Sequence, residues 1–144
     1  MNEVTRFDFQ DWFDMARQLW PDHDTDDMTD ALRRILQSSV EAAFILRDGE
    51  KKAVGFINLS LRYDTIPGAT QKPVAYIEGV FVQSEGRKKG YGALLIQRAE
   101  EWARYQGCNE LTADVDTDNA ASQAFHRQMG FEEVDRVVTF MKSV

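Results

Sequence analysis

Residues 73–107 read PVAYIEGVFVQSEGRKKGYGALLIQRAEEWARYQG, and three patterns follow one another along them. Pro73 to Gln83 is an apolar run broken by a single charge, Glu78. Such a run suits a strand too apolar to be exposed on both faces, central in its sheet. Ser84 to Gly92 is rich in glycine and base and reads as a loop. Beyond it Leu95, Ala99 and Trp102 recur at helical spacing, and Gly107 suits the C-terminal cap. The basic glycines therefore sit at a helix N-terminus, where unpaired N–H groups and the positive end of the helix dipole favour an anion.

The flanking sequence supplies the rest of a fold. Upstream, Phe9 to Leu19 puts Trp12, Met15, Ala16 and Leu19 on one helical face, and Pro21 ends it. An acidic loop, Asp22 to Asp27, leads to a second helix predicted from about Met28 to Gln37, with Ala31, Leu32, Ile35 and Leu36 inward. Glu41 to Arg47 and Ala53 to Arg62 read as strands joined by a hairpin turn at Asp48-Gly49. Asp64 to Lys72, with Pro67 and Gly68, reads as a loop. Downstream, Glu110 to Asp116 reads as a strand, Asn119 to Met129 as a short helix closed by Gly130, and Val134 to Met141 as a final strand. These elements predict one α/β (α+β) domain over residues 1–144. Its central sheet is mixed and mostly antiparallel, with helices on both faces.

Composition narrows the function. No apolar run approaches the roughly 20 residues that span a bilayer, and the acidic, interrupted N-terminus does not read as a signal peptide. A lone cysteine, Cys108, excludes an intramolecular disulfide framework and suits a reducing cytoplasm. With 17 Lys+Arg against 24 Asp+Glu, the net charge of -7 argues against nucleic acid as a general partner. An acidic cleft would instead concentrate a cationic small molecule, although acidity also serves solubility alone. No His/Cys/Asp cluster has metal-ligand spacing, so no metal is expected.

The chemistry centres on Arg87-Lys88-Lys89-Gly90-Tyr91-Gly92. Glycine permits close approach of backbone to a ligand, and three cations stand beside it in an acidic chain. A solvated basic turn is the plainer alternative. A dinucleotide fingerprint would need a third spaced glycine, and a Walker loop would need Gly-Lys-Ser/Thr; neither is present. Arg-x-x-Gly-x-Gly after a strong strand, opening a helix, resembles the coenzyme A pyrophosphate loop of the GNAT superfamily of N-acetyltransferases. Asn119 followed by Met129-Gly130-Phe131 is similar to that superfamily's Asn…Gly-Phe signature. Within it, Gln18 to His23, Ser60 to Asp64, Tyr76 to Val82, Ala113-Asp114 and Gly130 to Val137 resemble the bacterial aminoglycoside 6′-N-acetyltransferases over nearly the whole length.

The resemblance implies acetyl-CoA as cosubstrate and a cationic aminoglycoside, an antibiotic amine, as acceptor. It implies that the backbone of Val80, Phe81 and Val82 meets the pantetheine arm and that Arg87, Lys88, Lys89, Gly90, Tyr91 and Gly92 hold the pyrophosphate. It brings Asn119 and His126 to the same arm, with a capping role for Asn119 equally open. It places Glu78 and Asp114 at the acceptor amine, Asp114 foremost, and Trp20, Tyr63 and Asp135 around the sugars. Structural ion pairs for the carboxylates and core packing for the aromatics are the alternatives. His126 stands where many members carry a tyrosine and is a candidate acid for the leaving thiolate, or a simple helix-face residue.

An alkyl ammonium must lose a proton before attacking a thioester. A lone carboxylate is a weak direct base, so the expectation is a carboxylate pair or a water relay. The expected reaction is direct attack in a ternary complex. A different amine (a polyamine, an amino acid or a protein N-terminus) and a non-catalytic coenzyme A or cation-binding module are the alternatives. A homodimer pairing Val134 to Val144 across subunits is expected by analogy.

Overall fold

The structure, a computed structural model, describes residues 1–144. Five strands form one sheet in the order β1-β2-β3-β4-β5: β1 (Asn2–Glu3), β2 (Glu41–Arg47), β3 (Ala53–Arg62), β4 (Val74–Val82) and β5 (Leu111–Ala113). All neighbours are antiparallel except β4 and β5, which run parallel. The helices are α1 (Phe9–Leu19), α2 (Thr25–Gln37), α3 (Tyr91–Tyr105) and α4 (Ala120–Gln128). The mixed sheet between helical layers is the architecture expected from the pattern.

Period-2 alternation on β2 divides two apolar layers. Ala42, Phe44 and Leu46 face α3, where they meet Leu95, Ile96, Ala99 and Trp102. Ala43 and Ile45 face α1 and α2, where Trp12, Met15, Ala16, Met28 and Leu32 close the other layer. Trp12 is fully buried and donates its indole N–H to Asn58 Oδ1 at 3.0 Å, so α1 is tied to the middle of β3 by a satisfied polar contact. Phe125, Met129 and Phe131 bring α4 and its exit onto the α3 side.

Several boundaries differ from the sequence reading. Helix α2 begins at Thr25, because the Asp24 carboxylate caps it by accepting from the N–H groups of Asp26 and Asp27, both at 3.1 Å. Half of the acidic run is thus a first helical turn, where acids favour the dipole. The β2–β3 connection is a longer loop over 48–52. The Asp48 carboxylate accepts from the N–H groups of Glu50 and Lys52, and Lys51, not Gly49, takes the positive φ of 66°. Strand β4 lies between β3 and β5, with β3 at the middle of the sheet.

Two corrections matter more for function. Strand β5 has three residues, not the seven from Glu110 to Asp116. Opposite it, β4 carries a bulge: Asn58 pairs with Gly79 and Leu59 with Ile77, leaving Glu78 as an extra residue. The bulge bends β4, and the parallel ladder ends at Ile77–Ala113. The final strand expected at Val134 to Met141 is absent; the segment is exposed and irregular. A strand needs a ladder partner, and within one chain this segment pairs with none.

Candidate active site

The bulge creates the site's geometry. Beyond Ile77, β4 keeps its bonds to β3 through Val82 but has no partner on the β5 side. Val80, Phe81 and Val82 therefore carry an open backbone edge along the gap between the diverging strands. The Phe81 side chain is turned away, buried against Phe56 in the α1/α2 layer. An open edge is where an extended, amide-bearing ligand arm can add its own hydrogen bonds.

The gap leads to the basic loop. Arg87 donates from Nε to the Val82 carbonyl at 3.2 Å, folding the loop back on the strand end. Lys88 and Gly90 both take left-handed conformations, φ 66° and 79°, and α3 starts at Tyr91 without a side-chain cap. Alternating backbone handedness turns successive N–H groups inward, and the uncapped helix start adds its own. Lys88 and Lys89 are exposed here. The cradle fits a pyrophosphate by backbone shape and by charge.

Gly92 has a different reason from the one its motif suggests. A Cβ there would meet the Phe125 ring at 2.7 Å. Gly92 lets α4 close onto the start of α3, while Gly90 supplies the left-handed turn in open space. Asn119 caps α4 by accepting from the Ser122 N–H at 3.0 Å. That leaves its side-chain NH2 unengaged, so capping and a ligand contact are compatible.

On the other face of the β4–β5 junction stand the carboxylates. The last parallel pair is Ile77 with Ala113, so Glu78 and Asp114 each follow it where the two segments part. Glu78 Oε1 accepts three times: from Ser60 Oγ at 2.6 Å, Arg62 Nη2 at 2.7 Å and Arg62 Nε at 3.0 Å. No protein donor reaches Oε2. The guanidinium also lies over the Tyr76 ring, 4.3 Å from its centroid. Burial pushes the Tyr76 phenol above its ordinary range, and the neighbouring Asp114 carboxylate pushes it the same way. Burial opposes the Arg62 charge, but the hydrogen bond and charge of Glu78 outweigh it and hold the guanidinium up. Ser60 and Arg62 thus gather on Glu78, and Tyr76 feels the charge of both Glu78 and Asp114.

The other expected substrate residues divide. Trp20 packs on the bulge, where a Cβ at Gly79 would collide with its indole, and stacks on His23 at an interplanar angle of 7°. It is half-buried beside the carboxylates' strand and can wall the acceptor side. Tyr63 is exposed just past the end of β3. Asp135 lies in the exposed C-terminal segment, where its carboxylate accepts from the Arg136 N–H. His126 is buried, edge-on to Phe125 and Phe131, with Nδ1 donating to the Ser122 carbonyl at 2.8 Å. In the neutral ring Nε2 therefore carries a lone pair and no proton; only the imidazolium could donate there.

Sequence reading missed Arg62, Tyr76 and Gly79 as site members. The signal for Arg62 was a charge ending a strand otherwise buried along most of its length. The bulge that exposes Glu78 left no mark in the sequence beyond the Glu78-Gly79 step.

Comparison with known proteins places the fold in a family. The model of the Acetyltransferase (GNAT) family matches residues 8–131. The chain is 38% identical over 133 residues, covering 92% of this chain and 91% of the relative, to an aminoglycoside N(6′)-acetyltransferase type 1 of Serratia marcescens. It is 34% identical to the enzyme of that name from Salmonella typhimurium, covering 99% and 97%. Among solved structures, AAC(6′)-Iy in complex with a bisubstrate analogue, CoA-S-monomethyl-acetylneamine, superimposes with a TM-score of 0.92 at 33% identity, covering 99% of this chain and 97% of that one. AAC(6′)-Ih from Acinetobacter baumannii gives the same TM-score of 0.92 at 31% identity and the same coverage, 99% and 97%. With a matching family model over most of its length and full-length relatives above the level at which family is secure, the chain belongs to the GNAT family of acetyltransferases.

Proposed function

We propose that this protein transfers the acetyl group of acetyl-CoA to the 6′-amine of an aminoglycoside. The observation that carries the reading is the junction at Glu78: one bulge opens the β4 edge and frees Glu78 from the ladder, next to where Asp114 follows the last residue of β5. A ligand arm along Val80 to Val82 and a cation at the two carboxylates would meet at that junction. The relatives named for this activity add the substrate class.

Acetyl-CoA, the cosubstrate, supplies an activated thioester. The protein's part is to hold its pyrophosphate on the loop from Arg87 to Gly92 and to order its arm along β4. At the acceptor, Glu78 attracts and orients the ammonium through its free oxygen. Asp114 takes the proton, directly or through a water. The freed lone pair attacks the thioester carbonyl, the C–S bond breaks, the nitrogen gives up a second proton to water as the amide forms, and the thiolate is protonated. His126 can supply that proton only as imidazolium; water is the alternative donor. Trp20 and Tyr63 cover the sugars, and Asp135 adds charge at the rim.

We place the enzyme in the cytoplasm, which suits its lone, buried Cys108. Residues 1–144 act as one domain, and two copies associate through the C-terminal segment, which exposes Val134, Val137, Val138, Phe140 and Met141. The test is thiol release from acetyl-CoA across a panel of aminoglycosides, polyamines, amino acids and peptides. Release with aminoglycosides bearing a 6′-amine is expected. Release only with another class would move the substrate, and none at all would leave a binding module.

A further inference from the structure

Resting on that reading, we propose that Arg62 holds one oxygen of Glu78, leaves the other to the substrate ammonium, and as a fixed cation beside it makes the bound ammonium easier to deprotonate. The guanidinium holds Glu78 by one oxygen only, at 2.7 and 3.0 Å, with Ser60 on the same oxygen. Tyr76 supports it from below at 4.3 Å. A substrate ammonium binding at the free oxygen would then lie within a few ångströms of a fixed cation.

The consequence is electrostatic. Without Arg62 the pocket would present Glu78 and Asp114 as an uncompensated pair. Such a pair binds an ammonium tightly and stabilises its charged, unreactive form. A cation beside it reverses part of that stabilisation, which weakens ground-state binding and raises the share of neutral amine. The proton leaves the ammonium nitrogen for Asp114 or water, and the arginine neither gains nor loses one.

The charged and titratable groups around the guanidinium are few. Strand β4 contributes Glu78 and Tyr76, and the segment after β3 contributes Asp64, next to the exposed Tyr63; Asp114, just past β5, acts on Tyr76. On β2 the neighbour across from Ser60 is Glu41, already paired with Arg34 of α2 at 3.2 Å. His23, between α1 and α2, is stacked on Trp20. Arg62 is the cation in direct contact with Glu78.

The experiment measures kcat and KM against pH for an aminoglycoside with the wild-type enzyme and with Arg62→Met, Arg62→Gln and Arg62→Lys. In Met and Gln the ascending limb of kcat should move to higher pH by about one unit, and KM at neutral pH should fall several-fold. Lysine keeps the charge and should keep the limb near its wild-type position. Two uncharged variants of different polarity guard against a folding failure in either. An unmoved limb with KM unchanged or raised, turnover persisting, overturns this inference alone and makes Arg62 a structural partner of Glu78. Absence of turnover with every 6′-amine aminoglycoside in the wild type overturns it together with the proposed function.

Discussion

At the scale of single residues, Asp114 and Glu78 differ in what surrounds them, and their substitutions should differ accordingly. Asp114→Asn keeps shape and removes the charge proposed to take the proton, so kcat/KM should fall by roughly 10²-fold or more. Glu78→Gln removes an attraction present before the transition state and should chiefly raise the aminoglycoside KM. Steady-state kinetics with acetyl-CoA saturating separates the two; equal effects on kcat from both would contradict the division of labour. His126 carries a narrower expectation. Its Nδ1 is committed to the Ser122 carbonyl, and the ring packs between Phe125 and Phe131. His126→Phe should therefore lower kcat by less than tenfold; a drop of roughly 10²-fold would make the imidazolium the acid for the thiolate.

At the scale of elements, the two glycines of the basic loop answer to different neighbours. Gly90 is left-handed in open space, so Gly90→Ala should cost about 1 kcal/mol of backbone strain and distort the phosphate cradle locally. Gly92→Ala would instead drive a methyl into Phe125 and displace α4. We expect both to raise the acetyl-CoA KM but only Gly92→Ala to lower Tm markedly, as read by kinetics and thermal unfolding together. Equal Tm loss would contradict the packing explanation. The same contrast shows what the sequence could reveal. Helical spacing located α1 and α3 closely, because burial of one face writes a period into the chain, and short apolar runs on either side of Asp48-Gly49 located β2 and β3. The motif located the loop and its glycines but not the ring behind Gly92, which belongs to an element some thirty residues away. The carboxylates were legible as charges in apolar strands. Their partners Arg62 and Tyr76 were not, because cross-strand register and the bulge at Glu78 bring them together.

At the scale of the whole molecule, the excess of acid over base gives a field that favours a polycation, while the cationic loop from Arg87 to Lys89 is local. Raising ionic strength should weaken aminoglycoside binding by calorimetry, more in the wild type than in Glu78→Gln or Asp114→Asn. The strand expected at Val134 to Met141 was read from its apolar content, and the content remains: Phe140 and Met141 are 90% and 93% exposed. If this segment finds its partner in a second copy, sedimentation should give a dimer, and Phe140→Asp with Met141→Asp should give a folded monomer; a monomeric wild type would contradict the association. The central claim concerns one nitrogen. Wild-type protein, acetyl-CoA and a kanamycin-type aminoglycoside should yield a singly acetylated product by mass spectrometry, with the acetyl group located on the 6′-nitrogen by NMR. No acetylation of any aminoglycoside bearing a 6′-amine, while another amine is acetylated readily, would contradict the account and leave only the family standing.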